Sequence, residues 1–81
     1  MQANEMRKGT VVRLKSVGWR ATIADNAKGN IRMAKVEGIV TEIGSIYIHD
    51  IAYVETADGP ELLELSPTQA KAAARIKAAG F

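Results

Sequence analysis

The 81-residue chain has no cysteine, a single histidine and only two prolines. Without thiols the fold can have no disulfide, no thiolate-bound zinc and no cysteine nucleophile. One histidine among scattered acids gives no metal-ligand spacing, so we expect neither a metal site nor a cofactor. No apolar run approaches the roughly 20 residues of a membrane span, and Met1 to Lys8 lack the apolar stretch of a secretory signal. These absences lead us to expect a cytoplasmic protein with no membrane partner. The chain also lacks internal repeats and low-complexity tracts.

What is present describes a folded domain. Hydrophobic residues make up 47% and charged residues 25%, which excludes disorder driven by charge and low hydrophobicity. A chain of this length holds one core, so residues 1–81 are read as a single domain. The net charge of +2 hides a segregation. Residues 1–36 hold eight basic side chains against two acids, residues 37–66 hold seven acids and no Lys or Arg, and residues 67–81 add Lys71, Arg75 and Lys77. Such blocks either form a basic face or let oppositely charged strands pair.

The local pattern is mainly β. After a turn at Lys8-Gly9, Val12 and Leu14 alternate with Arg13 and Lys15. Trp19, Ala21 and Ile23 then share the inward parity of a second strand. Residues 25–30 gather turn formers around Gly29, predicting a hairpin to a returning strand over residues 31–36. There Val36 falls out of phase with Ile31 and Met33, which points to a bulge near Glu37-Gly38. Ile39 to Ile43, a turn at Gly44-Ser45 and a long strand over residues 46–55 read as a second hairpin. A phase shift in that long strand requires a bulge or break near His49-Asp50. Residues 57–65 contain a turn at Ala57 to Pro60 and a short closing segment. Ser66, Pro67 and Gln69 mark the start of a C-terminal helix within residues 66–80, with Ser66 and Gln69 forming a capping box. Gly80 is placed to end that helix, with Phe81 folding back on it, and Ala72, Ile76 and Ala79 share its apolar face.

Five short strands joined by tight turns over residues 8–56, followed by one helix, predict a five-stranded antiparallel barrel closed by a C-terminal α-helix. This arrangement resembles the SH3-like small barrels found in chromatin readers, ribosomal proteins and elongation modules. Lys8-Gly9-Thr10-Val11-Val12-Arg13 followed by Trp19-Arg20-Ala21-Thr22-Ile23 looks like the opening of a KOW motif, with Ala21 where that motif carries a glycine. The run from Gly44 to Ile51 is similar in style to small phage and bacterial barrel proteins. The resemblance to the KOW opening implies RNA binding, and the others imply only the fold.

Catalysis finds no support in the residue pattern. His49 and Asp50 are adjacent, but neighbours on a strand face opposite ways, and the serines lie in turn contexts. Gly29 stands alone, without the second glycine of a phosphate loop, and marks a hairpin tip. We therefore expect a non-catalytic binding module. Its leading ligand is nucleic acid, DNA or RNA, held by an outward basic set of Arg13, Lys15, Arg20 and Arg32 with Lys28 at the hairpin tip. Tyr47 is the candidate stacking residue, while the parity of Trp19 assigns it to the core. The competing reading is a protein partner or homo-oligomer that uses the charge-segregated faces and the C-terminal helix.

Overall fold

Short β-prone runs that alternate inward and outward side chains bury one face only when they pair side by side. In the computed structural model, which describes residues 1–38 and 43–80, they do so in a single antiparallel sheet. Four strands, β1 (Val11–Leu14), β2 (Arg20–Ile23), β3 (Ile31–Val36) and β4 (Ile43–Tyr47), follow one another as a meander. A 3₁₀ turn at Ile48–Asp50 then sends β5 (Ile51–Thr56) back to the free edge of β1, and β6 (Gly59–Glu61) folds onto β5. The strand order is β4-β3-β2-β1-β5-β6. A 3₁₀ turn at Ala3–Glu5 precedes the sheet, and helix α1 (Pro67–Ala78) follows it.

The architecture departs from the expected five-stranded closed barrel in two ways. There is a sixth strand, made because Thr56 Oγ1 donates to the Gly59 carbonyl at 2.7 Å and Gly59 takes a φ of +109°, which turns the chain tightly enough for Pro60 and Glu61 to pair with β5. Among the described residues the sheet is also open, with β4 and β6 as its edges. Its inward face is packed against the N-terminal turn, whose Ala3 and the following Met6 are buried in the core with Val12, Leu14, Ala21, Ile23, Ala34, Ile46, Ile48, Ile51 and Val54.

β3 settles its phase against expectation. The inward residues are Arg32, Ala34 and the half-buried Val36, while Ile31 and Met33 are exposed at 52% and 39%. Val36 is thus in phase, no bulge is needed, and the strand ends at Glu37-Gly38. Gly44 and Ser45 form no turn either, since they lie within β4 opposite Ala34 and Met33. Residues 39–42 of the expected preceding strand, and the expected contact of Phe81, lie outside the described residues. Trp19 precedes β2 and is half-buried outside the core. Its indole lies against Gly38, where a Cβ would stand 3.0 Å from two ring carbons and where φ is +112°.

Other local signals are met. The β2–β3 hairpin forms, the long strand breaks at His49-Asp50, and Ser66 caps α1 reciprocally with Gln69. Gln69 does more than cap. It is 5% exposed, and its side-chain amide donates to Asn4 Oδ1 at 2.8 Å and to the Lys28 carbonyl at 3.1 Å, while its own carbonyl accepts from Asn30 Nδ2. Arg32, at 0% exposure, donates from Nε to the Gly29 carbonyl at 2.9 Å and from Nη2 to the Ala3 carbonyl at 3.3 Å. These two buried polar side chains tie the N-terminal turn, the β2–β3 loop and α1 to one another.

Truncating either side chain removes part-buried or buried hydrogen bonds that join these segments. Gln69→Ala should cost about 2–3 kcal/mol and Arg32→Ala about 3 kcal/mol or more in chemical denaturation, while the exposed Thr68→Ala stays within about 0.5 kcal/mol.

Candidate nucleic-acid interface

The sheet sorts the six sequence-selected residues into four situations. Arg13 and Arg20 stand opposite one another on β1 and β2. Both reach Glu55 of β5: Arg13 Nη2 lies 3.2 Å from Oε1, and Arg20 Nε lies 3.0 Å from Oε2. Arg13 also donates to the Gly18 carbonyl at 3.0 Å. Its guanidinium is held above its usual pKa chiefly by the neighbouring Tyr53 and then by Glu55. Two cations share one carboxylate, so oppositely charged strands pair within the chain and part of the basic block is already engaged. A shallow hollow of about 380 Å³ lies alongside, lined by Arg13, Trp19, Arg20, Glu37 and Gly38.

Arg32 reaches no surface. The expectation of an outward guanidinium fails because the N-terminal turn and the β2–β3 loop offer carbonyls on the inward side of β3, and burial there pushes its pKa below the usual value. Lys28 is exposed in the β2–β3 loop, where its carbonyl accepts from Gln69 near the start of α1. Its contact at Gln69 is eight residues, about 12 Å at 1.5 Å per residue, along α1 from Lys77.

Lys15 and Tyr47 do come together. They line a cleft of about 410 Å³ with Ser16, His49, Asp50 and Lys77. Each wall has a local cause. Lys15 leaves the end of β1, where its backbone N–H donates to the Asp50 carbonyl at 2.6 Å. Asp50 in turn accepts from Ser16 N at 3.0 Å and Ser16 Oγ at 2.6 Å, fixing the β1–β2 loop to the 3₁₀ turn. Tyr47 and His49 flank Ile48, which is 1% exposed and anchors the turn, and their rings stack with centroids 5.1 Å apart and planes 16° from parallel. Lys77 arrives from the last turn of α1.

His49 is half-buried, and its Nδ1 has no hydrogen-bond partner. Its pKa is lowered, first by burial and then by Lys77, with Lys15 acting the same way and Asp50 opposing. The Asp50 carboxylate is taken by Ser16, so the adjacent pair does not form an oriented imidazole–carboxylate dyad. Among the described residues no group of three or more His, Asp or Glu side chains is placed to hold a metal, and no helix is long and apolar enough to cross a membrane.

Sequence reasoning missed His49 and Lys77 as partners of Lys15 and Tyr47. Tyr47 and His49 are two residues apart, the spacing that places side chains on one face of a strand, so their pairing was open to inference. The approach of Lys77 depends on how α1 packs and left no local signal. Comparison of the chain with protein-family models, with curated proteins and with solved structures finds no match.

The depressed His49 pKa carries a pH dependence. The folded state binds this proton less readily than the unfolded chain, so the contribution of neutral His49 is full above the unfolded value of about 6.5 and is lost as pH falls from there toward the folded pKa. Thermal melts between pH 7.5 and 5 should lose more stability in the parent than in His49→Gln, and equal slopes would count against a desolvated imidazole.

Proposed function

We propose that the chain is a small non-catalytic binding module for single-stranded nucleic acid. The cleft formed by Tyr47, His49, Lys15 and Lys77 is its contact site. The observation that carries this reading is the stacked Tyr47–His49 pair flanked by two lysines in one hollow. An unpaired base offers a π-face to an aromatic platform at any sequence, whereas bases in a duplex are already stacked. The adjacent ammonium groups supply the attraction for the phosphates that join such bases. A meander whose fifth strand returns to pair with the first supports placing this site on an SH3-like roll, the class to which the strand count, the order of turns and the basic opening pointed.

Within this reading Lys15 and Tyr47 keep the roles expected of them, Lys77 and His49 join them, and Arg13 and Arg20 form a secondary basic surface whose charge Glu55 partly offsets. Arg32 acts in the fold alone. A site this small contacts about two phosphates, so affinity should be micromolar, and log K should fall with log salt at a slope of about −1.4, using about −0.7 for each phosphate neutralised on a single strand.

Fluorescence anisotropy with a labelled oligonucleotide tests this reading. Lys15→Glu combined with Lys77→Glu should weaken binding more than tenfold, Tyr47→Ala should weaken it about fivefold or more through the loss of stacking worth about 1–3 kcal/mol, and Lys28→Ala should change it less than twofold. Unchanged binding in the double charge reversal would remove the proposal.

A further inference from the structure

The two edges of the sheet are guarded very differently. An edge strand exposes unpaired N–H and C=O groups, and proteins that stay single protect it with proline, charge or a bulge. β6 carries Pro60 and Glu61 within its three residues. β4 reads Ile43-Gly44-Ser45-Ile46-Tyr47, with no charge and no proline, and its Ile43, Gly44 and Ser45 are exposed. Among the described residues no strand pairs with its outer side.

The hydrogen-bond phase tells which groups that edge offers. Ile48 N–H donates to the Asn30 carbonyl at 2.9 Å, and the β3–β4 register places Arg32 opposite Ile46 and Ala34 opposite Gly44. In an antiparallel ladder every second residue bonds to the partner strand, so Ile46 and Gly44 face β3. The N–H and C=O groups of Ile43, Ser45 and Tyr47 point outward. The same three residues carry their side chains on the outer face of the sheet, beside the exposed Ile31 and Met33.

We propose that β4 is a homodimer edge, pairing antiparallel with β4 of a second copy of this chain about a two-fold axis at Ser45. This register is self-complementary. Ser45 meets Ser45 of the second copy, and Ile43 meets Tyr47 in both directions, which uses all the outward groups in about six backbone hydrogen bonds. Ile43, the most exposed of these apolar side chains at 57%, gains an aromatic neighbour across the join. On the inner face Gly44 falls opposite Ile46, and nothing stands within 4 Å of where a Gly44 Cβ would be. Charge does not oppose the join: the strand is neutral, and the two Lys35 residues on the β3 strands are separated by three strand spacings, about 14 Å, across the sheet and by four residues, about 13 Å, along it, beyond the screening length at physiological salt. A stable interface takes about a tenth of a small protein's surface, about 500 Å² of the 5079 Å² here. A five-residue strand of about 17 Å with its flanking apolar side chains falls at or below that size, so the dimer forms in the micromolar range.

The absence of cysteine makes the pairing directly testable. Directly opposed residues of a hydrogen-bonded pair have Cα atoms about 5.5 Å apart, within the span of a disulfide. Ser45→Cys should therefore cross-link to a two-chain species under mild oxidation, whereas Asp58→Cys in the β5–β6 turn should not. By sedimentation at about 100 µM, well above a micromolar Kd, the parent should have the mass of two chains. Ser45→Lys, which sets like charges face to face, should have the mass of one with an unchanged circular dichroism spectrum. A parent that stays a single chain at that concentration overturns the proposal. So does a dimer that persists in Ser45→Lys, which would place the interface elsewhere. Neither readout involves nucleic acid, so failure here leaves the binding proposal standing.

Discussion

Burying a guanidinium without a direct ion pair is costly, and the placement of Arg32 governs much of the rest of this fold. Its hydrogen bonds go to backbone carbonyls of Ala3 and Gly29, in two different segments, and the Asp25 carboxylate acts on its charge from a distance without a direct contact. Those segments must therefore come to the inward side of β3. Once they do, the N-terminal turn packs Ala3 and Met6 against the inward face of the sheet, and Gln69 fastens the start of α1 to the same region through Asn4 and Lys28. The opposite consequence falls on the outer face, where Ile31 and Met33 are left to solvent because their neighbour took the inward place.

This one residue also explains where sequence patterning fails. Along β3 the apolar Ile31 and Met33 are the natural inward set by hydrophobicity, and an arginine between them reads as outward. Three inward positions, Arg32, Ala34 and Val36, keep a consistent period once the Arg32 side chain finds buried acceptors, and of its two carbonyl partners Gly29 is three residues away while Ala3 is 29 residues away and left no local signal. Signals that act over a few residues were legible: the cap made by Ser66 and Gln69, the hairpin around Gly29, and the phase break at His49-Asp50. Gly44-Ser45 misled because glycine and serine favour turns in isolation, whereas here pairing with Met33 and Ala34 overrides that preference. Sheet closure was not legible, since it depends on whether strands or other segments cover the core.

Charge segregation in the sequence resolves into basic residues that are ion-paired and basic residues that are not. The basic start of the chain meets the acidic middle on the outer face, where Arg13 and Arg20 share Glu55 across three adjacent strands. Lys15 and Lys77 escape this pairing because the nearby Asp50 carboxylate is occupied by Ser16 and serves to position the loop. The segregation visible in sequence is thus partly structural. Among the described residues, Lys15 and Lys77 stand without an ion pair beside the stacked Tyr47 and His49, a grouping drawn from three separate stretches of the sequence.

We propose that Arg32 serves the fold while the cleft beside Tyr47 serves the ligand. Two-dimensional ¹⁵N NMR during titration with a short single-stranded oligonucleotide, observing backbone amides and the Arg32 Nε–H together, separates these roles most directly. Shifts concentrated at Lys15, Tyr47, His49 and Lys77, with Arg32 Nε–H present, protected from solvent exchange and unmoved, are the predicted result. A rapidly exchanging Arg32 signal that moves with added oligonucleotide would contradict the account.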